Sequence, residues 1–283
     1  MSIGFDCEPD KSAQETFWKV QVKKSGRLLL ELKLIEPESW DDETSITEVH
    51  SYKIRQSGLR KSGVHSVLLW QDHWESRREI VKSRIQSLLG ISHRIPARLT
   101  KVFRIDKMTA HAFLEKNHLQ GHVLSKFQFG LYLPKQYFRV LPADYQLDIE
   151  AEHLLVAVAT FSRPRLFPRE DKPFRSYELI RFANTLDITV VGGLNKLLSA
   201  FSKEIKPDDI MTYVDLEWSD GEGYAKLGFE EISEKPPIAF MLDTQTNERF
   251  SLRNSGDNEH LVKITNGGSL KFVKTIEKKS YGS

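Results

Sequence analysis

The residues best suited to chemistry lie between His118 and Phe229. Thr189-Val190-Val191-Gly192-Gly193-Leu194-Asn195-Lys196 sets paired glycines where a helix begins. Glycine lets backbone approach a ligand closely, and the first free N–H groups of a helix point outward with the dipole behind them. That makes Val191, Gly192, Gly193, Leu194, Asn195 and Lys196 a candidate anion cradle, with a pyrophosphate as the natural occupant; a plain tight turn is the alternative. Four side chains could move protons. Tyr224 sits on a short helix, Glu178 on an apolar strand, Asp215 at a strand end, and His118 where a helix stops beside Asn117 and Gln120. Each has a structural alternative: helix packing for Tyr224, an ion pair with Arg181 for Glu178, charge pairing for Asp215, a hydrogen-bonded cap for His118.

Charge points to a second chemistry. From Lys53 to Lys107 the chain holds 13 Lys and Arg against 4 Asp and Glu, although its net charge is only +2. Arg77, Arg78, Lys82 and Arg84 crowd the polar side of one expected helix, and Arg98, Lys101 and Arg104 recur along the next segment. As one surface they would bind the phosphates of DNA or RNA by releasing counterions. A solvated helix face with strand edges is the alternative. Glu31 and Lys33 have the E-x-K spacing of restriction-type nucleases, but no aspartate is well placed upstream on a partner strand, so the spacing reads as chance.

Other classes are set aside by composition. A single cysteine, Cys7, excludes an intrachain disulfide and a multi-cysteine zinc site. The histidines form no H-E-x-x-H pair, and no metal site is expected. No stretch approaches the ~20 apolar residues of a membrane span. The opening residues lack the basic and apolar regions of a secretory signal, so a cytoplasmic location is expected.

The elements that must position these residues follow from periodicity. The first ten residues read as a loose tail. Residues 17–22 and 27–35 alternate around Ser25-Gly26 as a hairpin, 36–48 read as an acidic loop, and 49–55 and 65–70 as strands. Asp72 and Glu75 form a capping box for an amphipathic helix that Gly90 stops. Residues 98–105 read as a strand and 106–116 as a helix. Strands follow at 127–133, 154–161 and 176–183, a helix at 194–205, a strand at 210–216, a short helix at 222–227 and a hairpin opening at 238–242. That order is mixed α/β, with a sheet that cannot be all parallel.

Tyr224-Ala225-Lys226-Leu227-Gly228-Phe229 after the glycine loop resembles the signature of the Gcn5-related N-acetyltransferases over residues 98–245. The resemblance implies a mixed-sheet α/β acyltransferase fold and an acyl-CoA donor, acetyl-CoA or another, with its pyrophosphate on the glycine loop. It also implies that the tyrosine protonates the leaving thiolate. The glycines are adjacent here, and Thr189 stands at the family's Gln or Arg place. Residues 113–121, Phe129-Gly130-Leu131-Tyr132, residues 177–182, Val191-Gly192-Gly193 and Lys196-Leu197 carry a narrower similarity to acetyltransferase-like proteins of phages and mobile elements. These are distantly similar to Mom-type DNA-modification proteins. The match extends to residues 69–74, 80–85 and 271–273, and in relatives the upstream helix closes a small nuclease-like domain, whose cysteine- and histidine-bearing elements are missing here. Leu216-Glu217 replaces a pair that is often basic in the group.

The expected organisation is a flexible segment 1–14, a small basic α+β domain at 15–95, and a GNAT-like acyltransferase domain at 98–283 with a C-terminal hairpin extension. The expected function is transfer of an acyl group from an acyl-CoA donor to an amine, with Tyr224 as general acid and Glu178, His118 or Asp215 deprotonating the amine. The alternative is a nucleic-acid-binding or base-modifying, Mom-like protein of mobile-element origin, with or without that activity.

Overall fold

The computed structural model describes residues 4–11, 15–40, 43–147, 150–169, 172–253 and 259–276. In chain order, the first elements are β1 (Asp6–Asp10), β2 (Lys19–Lys24), β3 (Arg27–Ile35), α1 (Thr44–Lys61), β4 (His65–Trp70), α2 (Gln71–Ser76) and α3 (Arg78–Leu88). Then come β5 (His93–Pro96), β6 (Lys101–Arg104), α4 (Lys107–Asn117), β7 (Phe127–Pro134), β8 (His153–Phe161), β9 (Arg165–Phe167), β10 (Phe174–Asn184) and β11 (Ile188–Val191). The last are α5 (Gly193–Ile205), β12 (Asp209–Asp215), α6 (Glu222–Ala225), β13 (Glu230–Lys235), β14 (Ala239–Asp243), β15 (Arg249–Ser251), β16 (Leu261–Thr265) and β17 (Ser269–Thr275).

Two compact units result: Met1–Val81 with Val214–Glu222 and Ile232–Lys271, and Lys82–Tyr213 with Gly223–Glu231 and Phe272–Ser283. In the first unit β1, β2 and β3 are antiparallel neighbours, and α1 carries the chain across to β4, which lies parallel to β3. Its core gathers Phe17, Ile35, Trp40, Val49, Tyr52, Leu68 and Trp70 with Leu242 and Ile264. Burying these large side chains contributes ~1.5–3 kcal/mol each. Residues 232–271, expected as an extension of the acyltransferase part, therefore pack with the first unit. The notional tail also gains structure, because Asp6–Asp10 pairs with Lys19–Lys23.

The segment read as a loop and a strand around residue 49 is helix α1. Its buried positions Ser45, Val49, Tyr52 and Gln56 keep helical spacing, but half are polar. The reason lies on the sheet. Glu31 and Lys33 share the β3 face that α1 covers, at 0% and 1% exposure. Glu31 takes a two-pronged bond from Arg55 at 2.6 and 2.7 Å, and Lys33 pairs with Glu48 at 2.6 Å and Glu15 at 3.3 Å. A helix that covers charge must carry charge, and that blurs the apolar stripe. The E-x-K spacing is spent in these pairs.

The second unit is built on a mixed sheet in the order β13-β17-β12-β10-β8-β7-β6, with β9 beside β10. β6, β7, β8 and β10 are antiparallel in turn, whereas β12 is parallel to β10. This is the mixed α/β sheet that the sequence implies. Helix α4 covers one face through Ala110, Phe113 and Leu114 against Val158 and Ala183. Helix α5 covers the other, where Phe201 stacks on Phe161 at 3.8 Å and meets Phe127, Phe129 and Tyr177. The capping box at Asp72 does not form. Asp72 is buried inside α2 and clasped by Arg249 at 2.6 and 2.8 Å, and the helix breaks at Arg77. The expected strand at 98–105 shortens to β6 after a helical turn at Ala97–Leu99.

Candidate active site

The site starts from a defect in β10. Its parallel pairing with β12 ends at Glu178↔Met211, and its ladder with β8 shifts between Leu179 and Arg181. One extra residue at such a bulge bends the strand and re-aims side chains. Here it turns Glu178 and Arg181 to the same face, the one that α4 covers, and the carboxylate acts favourably on the guanidinium. Burial is the larger effect on Arg181 and draws it below the usual arginine value. Beyond the last parallel pair, a side chain bridges the parting strands: Thr212 Oγ1 donates to the Leu179 carbonyl at 3.0 Å.

Tyr224 reaches this point from α6. The Thr212 hydroxyl acts on its phenol. Its ring meets Phe229 edge-on at 5.6 Å and Phe272 at 6.3 Å, so the side chain is held on two sides. Burial raises the phenol above its usual value, opposed by the Thr212 hydroxyl and the Arg84 charge. A neutral phenol aimed at a strand opening can donate a proton.

The glycine loop occupies the start of α5. β11 lies parallel to β5, with Val190↔Ile95 and Val191↔Pro96 in register. Gly192 then takes the left-handed conformation at φ +79°, and a Cβ there would meet only Ala97 at 3.7 Å. The first backbone N–H that bonds within the helix is that of Lys196, to the Gly192 carbonyl at 3.0 Å, so those of Gly193, Leu194 and Asn195 form the free first turn. These groups fit a phosphate.

Three details differ from the sequence reading. Gly193 is buried, and a Cβ would stand 3.1 Å from Val190 and 3.2 Å from Leu131, so packing demands that glycine rather than a ligand. Lys196 turns away from the loop to bond the Ala97 and Thr100 carbonyls at 2.9 and 2.5 Å, and burial lowers its ammonium below the usual value. Thr189 is engaged by Ser92 at 2.7 Å.

The other proton-handling candidates separate. Asp215 lies in the first unit, where its carboxylate accepts the Glu217 N–H at 3.0 Å and holds a turn. His118 caps α4, and its Nδ1 accepts the Gln120 N–H at 3.2 Å. His118 and His122 stand four residues apart, but the helix ends at Asn117, so they do not share a helical face. Sequence reading missed Thr212, a lone hydroxyl in an apolar strand, and Arg181, whose facing depends on the bulge. Among the described residues no group of three His, Cys, Asp or Glu could hold a metal ion.

The basic candidates divide as well. Arg77 and Arg78 belong to the first unit and the other five to the second. Arg78 lies over Trp74 at 5.3 Å, and Arg104 binds Glu204 at 2.7 Å while lying over Phe127 and Phe129. Arg84 acts on Tyr224. Arg98 and Lys101 are exposed.

No protein-family model matches the chain, and no curated protein does. Among solved structures, it is similar to the NatC complex bound to Gag peptide and CoA at 8% identity, covering 63% of this chain and 99% of that one, with a TM-score of 0.35. It is also similar to histone acetyltransferase HPA2 and related acetyltransferase from Corynebacterium glutamicum, at 16% identity, 56% and 68% coverage and a TM-score of 0.30. A third is the KacTA–DNA complex, at 14% identity, 59% and 92% coverage and a TM-score of 0.29.

Proposed function

We propose that this chain is an N-acyltransferase of the Gcn5-related type, moving an acyl group from an acyl-CoA donor to an amine. The observation that carries the reading is the Tyr224 phenol beside the Thr212 hydroxyl, which donates to the Leu179 carbonyl where β10 and β12 part. The donor supplies the activated thioester. The free N–H groups of Gly193, Leu194 and Asn195 hold its pyrophosphate, and backbone of β10 past the bulge is open to the arm that follows. Tyr224 holds the proton that the departing sulfur needs. Catalysis here is mostly positioning, because a neutral amine beside a thioester needs little further help. A phosphate-bearing acceptor would find Arg98 and Lys101, exposed on the second unit and without an ion pair among its described residues. Mom-like base modification is a narrower form of the same proposal.

Titration calorimetry with acetyl-CoA tests the reading. Saturable one-to-one binding is expected, and an absence of binding would remove it. Filter binding of DNA and RNA at ~50 mM salt tests the acceptor class, since phosphate contacts are strongest there.

A further inference from the structure

Beside the β10 bulge stands a second set of proton-handling groups. Glu115, near the end of α4, accepts the backbone N–H of His122 at 2.9 Å through Oε1, and the same oxygen is bonded to His122 Nδ1. His111, one turn earlier on α4, stacks flat on the His122 ring at 4.1 Å and 28°. Its own Nε2 is buried without a partner. The intervening glycine is required, since Gly121 has φ +60° and a Cβ there would lie 2.6 Å from the Glu115 carboxylate. The carbonyl of Gly121 accepts Arg181 Nε at 3.4 Å, which ties this loop to the bulge.

The Glu115 carboxylate at Nδ1 and the His111 ring stacked on its face fix the plane and tautomer of the His122 imidazole. A carboxylate at Nδ1 keeps the proton there and leaves the lone pair on Nε2. His122 Nε2 makes no hydrogen bond among the described residues, and its side chain is 42% exposed. A fixed, accessible lone pair on the loop that Arg181 ties to the β10 bulge is placed to receive a proton from an incoming acceptor.

We propose that His122, oriented by Glu115 and backed by His111, is the catalytic base that deprotonates the acceptor ammonium, with Arg181 positioning its loop. This rests on the acyltransferase reading. The balance is complete: the ammonium gives one proton to His122 Nε2, the amine nitrogen bonds to the acyl carbon, the carbon–sulfur bond breaks, and the sulfur takes the Tyr224 hydroxyl proton. The second proton of the new amide nitrogen passes through water to the Tyr224 phenolate, and His122 releases its proton to solvent. The ring meets Glu115 and His111 from α4, and Arg181 from β10 holds the carbonyl of the preceding Gly121. The acceptor class is a primary amine that arrives protonated, reached from the open side of the loop.

The test uses the full chain with acetyl-CoA and two probe amines, a lysine-bearing peptide and spermidine, following thiol release. His122→Ala should lower kcat/KM by ~10²–10⁴-fold while acetyl-CoA binding in calorimetry is unchanged, and added imidazole should restore part of the rate. Glu115→Gln should lose less, because an amide still meets Nδ1. Independently of turnover, nitrogen NMR at alkaline pH should find His122 as the Nδ1–H tautomer. An Nε2–H tautomer, an unimpaired His122→Ala enzyme, or a wild type that binds acetyl-CoA but acylates neither amine overturns the base. A wild type that does not bind acetyl-CoA overturns the acyltransferase reading instead.

Discussion

Trp70 and Glu217 stand 147 residues apart in sequence and meet in the first unit, the indole Nε1 donating to Glu217 Oε1 at 2.9 Å. The same oxygen accepts the Gly267 N–H at 2.8 Å, and the Glu217 side chain is 3% exposed. Glu217 is thus an acid turned into a core. Burial first, and the neighbouring Asp215 charge second, push its carboxyl up to about 8.

That shift has a sign. An acid with a raised folded pKa stabilises fully below its unfolded value and loses that contribution as pH rises through the folded one. Stability should therefore fall between roughly pH 4.3 and about 8. Glu217→Gln keeps both bonds to the oxygen and removes the ionisation. Its melting temperature should exceed the wild type's at pH 8 and match it near pH ~4, the unfolded carboxylate range. Thermal melts across pH check this; equal curves at pH 8 would show that Glu217 is already accommodated as a charge.

Lys33 is the reverse case. It is 1% exposed between Glu48 and Glu15, so Lys33→Met leaves half-buried Glu48 without its cation and Glu15 with Lys19 alone, and should cost ~1–3 kcal/mol in denaturant unfolding. Although burial opposes it, Lys19 and Lys33 hold Glu15 down to about 2, and Lys33 lowers Glu48 as well. Stability from these acids is present above the unfolded carboxylate range of ~4 and lost as pH falls through the folded values. The variant should show a shallower acid limb.

Tyr224→Phe should lower turnover ~10²–10⁴-fold with donor affinity nearly unchanged. Thr212→Val should lose less, since it removes the hydroxyl beside the phenol and leaves the phenol in place. Because burial raises the phenol, the alkaline limb of the wild-type profile should lie above the ordinary tyrosine value of ~10. Near wild-type turnover in Tyr224→Phe would make the ring a packing residue.

The two loop glycines should respond differently. Gly193→Val forces a branched side chain against Val190 and Leu131 and should cost ~1–3 kcal/mol or more, with donor binding lost alongside. Gly192→Ala meets only Ala97 at ordinary contact distance and bears the left-handed backbone, about 1–2 kcal/mol. Denaturant midpoints and calorimetry on both variants separate the effects. Equal stability of the two would argue against the packing at residue 193.

What the sequence determined by itself is local. Alternation specified the β2–β3 hairpin around Ser25-Gly26 and the strands β7, β8, β10 and β12. An apolar stripe specified α5, and the Asp106 cap, bonded to the Thr109 N–H at 2.9 Å, specified the start of α4. Each is written in residues a few positions apart, and Tyr224 and the glycine pair were visible on the same scale. Tertiary structure decided the rest, because the forces involved act between distant segments. Helix α1 was hidden because its inner face answers the charges of Glu31 and Lys33. The joining of residues 232–271 to the first unit came from Leu242 and Ile264 entering a core with Phe17 and Trp70. The single-residue slip in β10 set Arg181 beside Glu178 and let its guanidinium hold Gly121, and with it His122 on Glu115. Strand periodicity cannot foresee a bulge, since one added residue reverses every facing after it.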